Sequence, residues 1–253
     1  MQDINALAIK AISHLDLTNL NDDCTPKDME TLCEKAQTEF GSVAAICIWP
    51  KFIKQAVPLL SNTNIQIATV VNFPAGGTNT TAVCKETLSA INDGANEIDL
   101  VFPYEAFLQG DVETAQEQIA AVKAVCADKA LLKVIIESGE LKIDEAITAA
   151  SLLAIDNGAD FIKTSTGKVP VNATLPTARL MLSAILDSKK NIGFKPAGGI
   201  KTAQDANDYL QLASELMGDD WATPNTLRFG ASSVLENLLA QLKGQDAPTS
   251  DAY

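Results

Sequence analysis

Five ionisable residues lie inside apolar, strand-like runs of this sequence: Asp16, Asp99, Lys133, Lys163 and Lys195. A lone strand lysine usually runs its methylenes along apolar surface and reaches water at a strand end. Three lysines in separate runs, with two aspartates in two more, are better explained by one shared polar cluster, because lysine is seldom buried without a partner. In Leu131-Leu132-Lys133-Val134-Ile135-Ile136-Glu137 a period of two puts Lys133, Ile135 and Glu137 on one face, and Phe161, Lys163 and Ser165 share a face in a later run. Within such a cluster Asp16 and Asp99 neutralise two ammonium groups and one lysine is left over. Burial and a neighbouring like charge both favour its neutral form. A neutral amine near pH 7 attacks carbonyl carbon, so the cluster predicts Schiff-base chemistry without choosing the lysine. Glu137 would alter this balance if it entered the cluster.

A second set of residues fits an anion. Lys195-Pro196-Ala197-Gly198-Gly199-Ile200-Lys201-Thr202 and Phe229-Gly230-Ala231-Ser232-Ser233 each follow a strand-like run and lead into a helical one. Glycine lets backbone N–H groups approach an anion closely, and a helix N-terminus favours negative charge. Gly-Gly is also an ordinary turn and Ser-Ser an ordinary helix cap, but their joint placement after the last two strands points to a phosphate site. Only Arg179 and Arg228 are arginines, so Lys168 and Lys201 are the candidates for the countercharge.

Positioning these groups requires strands at Ile12 to Leu17, Val43 to Ile48, Ile65 to Asn72, Glu97 to Phe102, Leu131 to Glu137, Asp160 to Ser165, Ile192 to Lys195 and Leu227 to Gly230. Helical patterns alternate with them at Pro26 to Phe40, Thr78 to Asp93, Glu105 to Cys126, Ile143 to Asn157, Leu175 to Ser188 and Ala203 to Met217. Near-continuous apolar strands separated by helices imply right-handed crossovers in a parallel sheet. Eight such units predict a single (β/α)8 barrel, whose active site lies at the C-terminal ends of the strands, where Asp99, Lys163 and Lys195 fall. An echo between Asn92-Asp93-Gly94-Ala95-Asn96-Glu97-Ile98-Asp99 and Asp156-Asn157-Gly158-Ala159-Asp160-Phe161-Ile162-Lys163 supports a repeated unit. The competing open doubly wound sheet lacks its G-x-G-x-x-G fingerprint. The barrel is expected over residues 1–243 and a mobile tail over 244–253, which has no apolar period.

Of 253 residues, 47% are apolar and 20% charged, and 19 basic against 32 acidic side chains give a net charge of −13. Such an acidic chain is a poor match for a nucleic-acid partner. No run has the length of a membrane span and no leader pattern opens the chain, so a cytoplasmic location is expected. Five cysteines at irregular spacing predict free thiols, with Cys47 in a buried strand. The single histidine, His14, excludes sites built on two imidazoles and reads as a packed residue.

At these residues the sequence resembles the deoxyribose-phosphate aldolases, a class I aldolase family. The resemblance is carried by Leu15-Asp16-Leu17-Thr18, Ala45-Ile46-Cys47-Ile48, Glu97-Ile98-Asp99-Leu100-Val101-Phe102-Pro103-Tyr104 and Leu132-Lys133-Val134-Ile135-Ile136-Glu137. It continues through Phe161-Ile162-Lys163-Thr164-Ser165-Thr166-Gly167, Gly193-Phe194-Lys195-Pro196-Ala197-Gly198-Gly199 and Arg228-Phe229-Gly230-Ala231-Ser232-Ser233, spanning essentially the whole chain. The resemblance implies a barrel with a short leading helix over Ile4 to Ile12, a homodimer, sugar-phosphate and aldehyde substrates, and neither metal nor organic cofactor.

By the same resemblance Lys163 forms the imine with 2-deoxyribose 5-phosphate, Lys195 keeps it neutral as a neighbouring cation, and Asp99 moves the proton as the carbon–carbon bond breaks. Asp16 and Lys133 match the supporting network, and Thr18, Cys47 and Thr166 match the substrate pocket. Gly167, Lys168, Gly198, Gly199, Gly230, Ser232 and Ser233 match the phosphate site, with Lys201 where arginine is common and Trp49 where tyrosine is frequent. Tyr253, by itself a frayed end, matches a terminal tyrosine that assists proton exchange. A transaldolase-like Schiff-base barrel and a catalytically silent sugar-phosphate-binding barrel are the competing readings.

Overall fold

The computed structural model describes residues 4–245; residues 1–3 and 246–253, Tyr253 among them, lie outside the described residues. The Val- and Ile-rich runs form eight strands: β1 (Leu15–Asn19), β2 (Ala45–Ile48), β3 (Gln66–Val71), β4 (Glu97–Val101), β5 (Leu131–Ile135), β6 (Phe161–Lys163), β7 (Gly193–Lys195) and β8 (Phe229–Ala231). They pair in parallel in sequence order from β1 to β7, and β8 pairs with β1. Parallel bridges Phe194–Leu227 and Ala197–Gly230 close the ring between β7 and β8. There the Arg228 N–H donates to the Phe194 carbonyl at 3.0 Å and the Gly230 N–H to the Pro196 carbonyl at 2.9 Å. This is the predicted α/β architecture, a (β/α)8 TIM barrel entered through the helix Ile4–Ser13.

Local chemistry sets the crossover helices. Thr25 and Asp28, and likewise Thr202 and Asp205, form reciprocal capping boxes that open helices Pro26–Lys35 and Ala203–Met217. Gly94 ends helix Thr80–Asp93 at φ +114°, a conformation that strains any residue with a Cβ. Helix Val234–Leu242 closes with the Gly244 N–H donating to the Gln241 carbonyl and the Gln245 N–H to the Ala240 carbonyl, a Schellman pattern. The boundary expected at residue 244 therefore cuts through the cap of that helix.

Other boundaries also move. Helix Ile4–Ser13 takes in Ile12, so β1 starts three residues later than its apolar run. The helix expected to reach Phe40 stops at Lys35, and Gln37–Thr38 pairs antiparallel with Gly41–Ser42 around Gly41 at φ +123°. The single helix expected over Glu105 to Cys126 is two, Tyr104–Leu108 and Val112–Cys126, broken at Gly110 and recapped by Asp111. Helix Ile53–Leu60, which carries Pro58 inside it, has no counterpart among the sequence patterns. Among the described residues no helix is long and apolar enough to cross a membrane.

Strand alternation divides the buried side chains into two populations. Ile46, Ile98, Leu100, Leu132, Val134, Ile162 and Phe194 pack outward against the helices in the main core, and a separate small cluster of Leu20, Ala45, Cys47, Ala68 and Val70 fills one side of the barrel. The other side holds charges. Beneath them the Phe161 ring leans over Gly193, its register partner on β7, with the Arg228 guanidinium carbon 5.8 Å from the ring centroid. A Cβ at position 193 would fall inside that ring. Gly193→Ala is expected to lower unfolding free energy by about 1–3 kcal/mol through overpacking, checked by urea denaturation.

Candidate active site

Period-two alternation on β4 turns Glu97 and Asp99 to the same interior face, and parallel register sets Lys133 of β5 directly beside Asp99. Register likewise sets Lys163 of β6 beside Lys195 of β7, two like charges that need an anion between them. Asp99 supplies it: its Oδ2 accepts from Lys163 Nζ and Lys195 Nζ, each at 2.8 Å, while Oδ1 accepts from Lys133 Nζ at 2.9 Å. Lys195 Nζ also donates to Asp16 Oδ2, and Lys133 Nζ to Glu97 Oε2 at 2.5 Å. Arg228 completes the mesh with Nη1 on Asp16 Oδ1 at 2.7 Å and Nη2 on Glu97 Oε1 at 3.0 Å.

All seven groups are buried. Burial alone would push the Asp99 carboxyl up, yet Lys133, Lys163 and Lys195 together hold it well below its ordinary value. Asp16 is likewise lowered, burial being outweighed by Lys195, Arg228 and Lys133. Burial opposes the charge on Lys195 as well, but Asp16 and Asp99 keep it firmly protonated. For Lys133, Asp99 and Glu97 do the same. The Cys47 thiol, 4.0 Å from Asp99 Oδ2, is pushed up mainly by burial and stays protonated.

The mesh thus contains three carboxylates and four cations. The two-aspartate balance drawn from the sequence omitted Glu97 and Arg228, which cancel one another, so the surplus of one cation is unchanged. Glu137 stays out of the ion pairs: its carboxylate accepts the Thr166 N–H at 3.2 Å, and burial pushes its acidity down, raising its pKa. Glu97 and Arg228 escape a search for charges within apolar runs because each stands at the start of its strand, where charge is common. The signal that finds Glu97 is its spacing of two from Asp99.

Above the mesh, at the C-terminal rim, opens a cavity of about 240 Å³. Lys163, Thr18, Thr166, Gly167, Lys168, Gly198, Gly199, Gly230 and Ser232 line it, as do Leu20, Asn21 and Ile200, which the sequence motifs did not single out. Gly167, Gly198 and Gly199 all have positive φ, and a Cβ on Gly230 would press on Ala197. Lys168 Nζ spans the mouth to the Leu20 carbonyl at 2.8 Å, with an Asp22 carboxylate oxygen 3.7 Å away. The exposed Lys201 does not line the cavity, its backbone N–H donating instead to Asp205. Ser233 is buried at the start of the last helix, behind the lining. Arg179 pairs with Glu215 on the surface, and His14 sits beneath the barrel on the Lys10 carbonyl.

A (β/α)8 barrel whose buried lysine–carboxylate mesh opens onto a glycine-rimmed cavity has the layout of a barrel enzyme acting on a small molecule. Residues 10–238 match the DeoC/LacD family aldolases. The chain belongs to that family, and it is an aldolase, a carbon–carbon lyase. A curated deoxyribose-phosphate aldolase of Agrobacterium fabrum is 57% identical over 248 residues, which covers 97% of this chain and 96% of that protein. Among solved structures, the aldolase QR15 superposes with a TM-score of 0.80 at 28% identity over 93% of this chain and 97% of its own. The tetrameric deoxyribose phosphate aldolase of Aeropyrum pernix reaches 0.76 at 22% identity, over 95% and 97%, a likeness of fold.

Because Asp99 is depressed in the folded state, its stabilisation is complete above the ordinary carboxylate value of 3.8 and is lost as pH falls below it. Asp99→Asn leaves Lys163 without a carboxylate and takes one from each of Lys133 and Lys195. It is expected to cost about 3–5 kcal/mol at pH 7, and the loss on acidification from pH 4 to pH 2 should be smaller than in the parent protein, measured by denaturant titration at each pH.

Proposed function

We propose that this aldolase cleaves 2-deoxy-D-ribose 5-phosphate reversibly to acetaldehyde and D-glyceraldehyde 3-phosphate through a Schiff base on Lys163, in deoxyribonucleoside catabolism. The observation that carries the reading is that Lys163 alone among the mesh amines also lines the cavity. It has one carboxylate oxygen as its ion-pair partner, shared with Lys195, whereas Lys133 contacts Glu97, Asp99 and Asp16 and Lys195 contacts Asp16 and Asp99. Lys163 is therefore the mesh amine with the fewest carboxylate contacts and the one that faces the cavity.

In this reading the neutral Lys163 amine attacks the C1 aldehyde, and loss of water gives the imine. Asp99, through a water molecule, accepts the C3 hydroxyl proton as the C2–C3 bond breaks. The electron pair of that bond passes to C2 and the imine nitrogen, leaving an enamine and releasing glyceraldehyde 3-phosphate. Protonation at C2 and hydrolysis free acetaldehyde and restore the amine. Lys195, Asp16 and Lys133 maintain the field around these steps. Gly167, Lys168, Gly198, Gly199, Gly230 and Ser232 surround the phosphate, with the Lys168 ammonium as countercharge, Gly198 and Gly230 giving room because their own N–H groups donate to the Gly230 and Pro196 carbonyls, and Ser233 opening the helix behind it. Thr18, Thr166 and Cys47 border the sugar, and Lys201 contributes charge from the rim.

A homodimer and a cytoplasmic location belong to the same reading, the latter in keeping with five free cysteines. The decisive experiment is borohydride reduction with acetaldehyde or 2-deoxyribose 5-phosphate, followed by peptide mass spectrometry. A stable adduct on Lys163, absent in Lys163→Met together with turnover, is the expected result. An adduct on Lys133 or Lys195 would reassign the nucleophile, and tight substrate binding without any adduct would favour the silent barrel. Tyr253 is proposed to assist proton exchange at C2. Its deletion should slow turnover and solvent deuterium incorporation into acetaldehyde, and unchanged values of both would reject that role.

A further inference from the structure

The lysines and aspartates of the mesh have roles in the imine reading, but Glu97 and Arg228 have none. Both are nearly inaccessible, at 1% and 3% exposure, and lie on the side of the mesh away from the cavity. Arg228 directs all three of its nitrogens into this contact: Nη1 to Asp16 Oδ1 and, at 3.4 Å, to Glu97 Oε2, Nη2 to Glu97 Oε1, and Nε to the Pro224 carbonyl. Its planar fork fixes the two carboxylates at a set spacing, whereas the ammonium groups of Lys133 and Lys195 bridge theirs from a single nitrogen.

The bridge decides how carboxylate oxygens are distributed. With Asp16 Oδ1 taken by Arg228, Asp16 has Oδ2 left for Lys195. With Glu97 Oε1 taken by Arg228, Glu97 presents Oε2 chiefly to Lys133 at 2.5 Å, with Arg228 Nη1 farther off at 3.4 Å. Asp99 is then divided among all three lysines, and Lys163 receives only a share of one oxygen. Four cations face three carboxylates, and Arg228 is the one cation that cannot yield its proton.

We propose that Arg228 and Glu97 are positioning residues of opposite sign for the Lys163 nucleophile: Arg228 supplies the charge that forces one lysine to be neutral, and Glu97 limits that force. The proposal rests on the imine reading of the same site. The charged and titratable groups facing Lys163 and the bridge are Asp16 from β1, Cys47 from β2, Glu97 and Asp99 from β4, Lys133 and Glu137 from β5 and its following turn, Lys195 from β7, Lys168 at the cavity mouth and His14 below Arg228. Among these, removing the Arg228 charge erases the cation surplus, and removing the Glu97 charge doubles it.

The test is the pH profile of borohydride-trapped acetaldehyde adduct on Lys163, together with kcat/KM, in the full-length protein. Arg228→Gln should move the acid-side midpoint of adduct formation up by roughly one pH unit, and Glu97→Gln should move it down by a similar amount. The double variant Glu97→Gln/Arg228→Gln keeps the surplus at one and should return the midpoint to near its original position. Read beside opposite shifts in the single variants, that return ties the effect to net charge. Arg228→Lys keeps the charge and should hold the midpoint while lowering kcat through lost bridging.

Midpoints that stay in place in Arg228→Gln and Glu97→Gln, or that shift in the same direction in both, would overturn the proposal with the adduct still on Lys163. Absence of a Lys163 adduct in the parent protein would overturn the imine reading itself, a separate outcome.

Discussion

The Asp99 carboxylate, facing three ammonium groups inside a closed barrel, is the interaction on which the site depends. Parallel register puts Lys163 and Lys195 side by side and Lys133 beside Asp99 itself. Without an anion at their centre these lysines would repel one another in a region from which water is excluded. Burying a carboxylate is itself costly, and only the surrounding cations make its ionised form the stable one. The aspartate and the lysines therefore require one another, and neither set could be buried alone. Barrel closure between β7 and β8 contributes directly, because the same backbone contacts that close it carry Arg228 to Asp16 and Glu97.

Charge inside the barrel is confined to one side. Ala45, Cys47, Ala68 and Val70 fill the side lined by β2 and β3 with small apolar groups. That sector's polar contact with the mesh is the long Cys47 thiol–Asp99 hydrogen bond at 4.0 Å, so interactions across the mesh are weakly screened. Glycines do corresponding work at the rim, where Gly198 and Gly230 leave room for neighbouring Asn172 and Ala197 that a methyl group would occupy. The cavity is bounded by backbone on that side and by Lys163 at its base.

Much of this was legible before any coordinates. Lysine and aspartate within Val- and Ile-rich runs are anomalous enough to mark a cluster, and the glycines after the last two strands line the cavity. Asp16, Asp99, Lys133, Lys163 and Lys195 do converge. What escaped notice escaped for physical reasons. Glu97 and Arg228 occupy strand starts, where a charge usually meets water, and only barrel closure buries them. Lys201 looks equivalent to Lys168 by loop position, yet it faces solvent while Lys168 spans the cavity mouth. The division of the long helix at Gly110 and the hairpin after Lys35 were hidden because helical periodicity tolerates a single break.

The mesh also shows why pairwise descriptions fail here. Each carboxylate touches at least two cations and each of Lys133, Lys195 and Arg228 touches at least two carboxylates. In such a lattice a proton removed at one edge is felt throughout, since every oxygen released by one partner becomes available to another. With one more cation than carboxylate, one partner must be under-served. Lys163, the member at the cavity, takes that place: it shares a single Asp99 oxygen with Lys195, whereas Lys133, Lys195 and Arg228 each reach at least two carboxylates. The nucleophile proposed above is thus the member of the lattice with the fewest ion-pair contacts, a consequence of how charge fills a closed barrel.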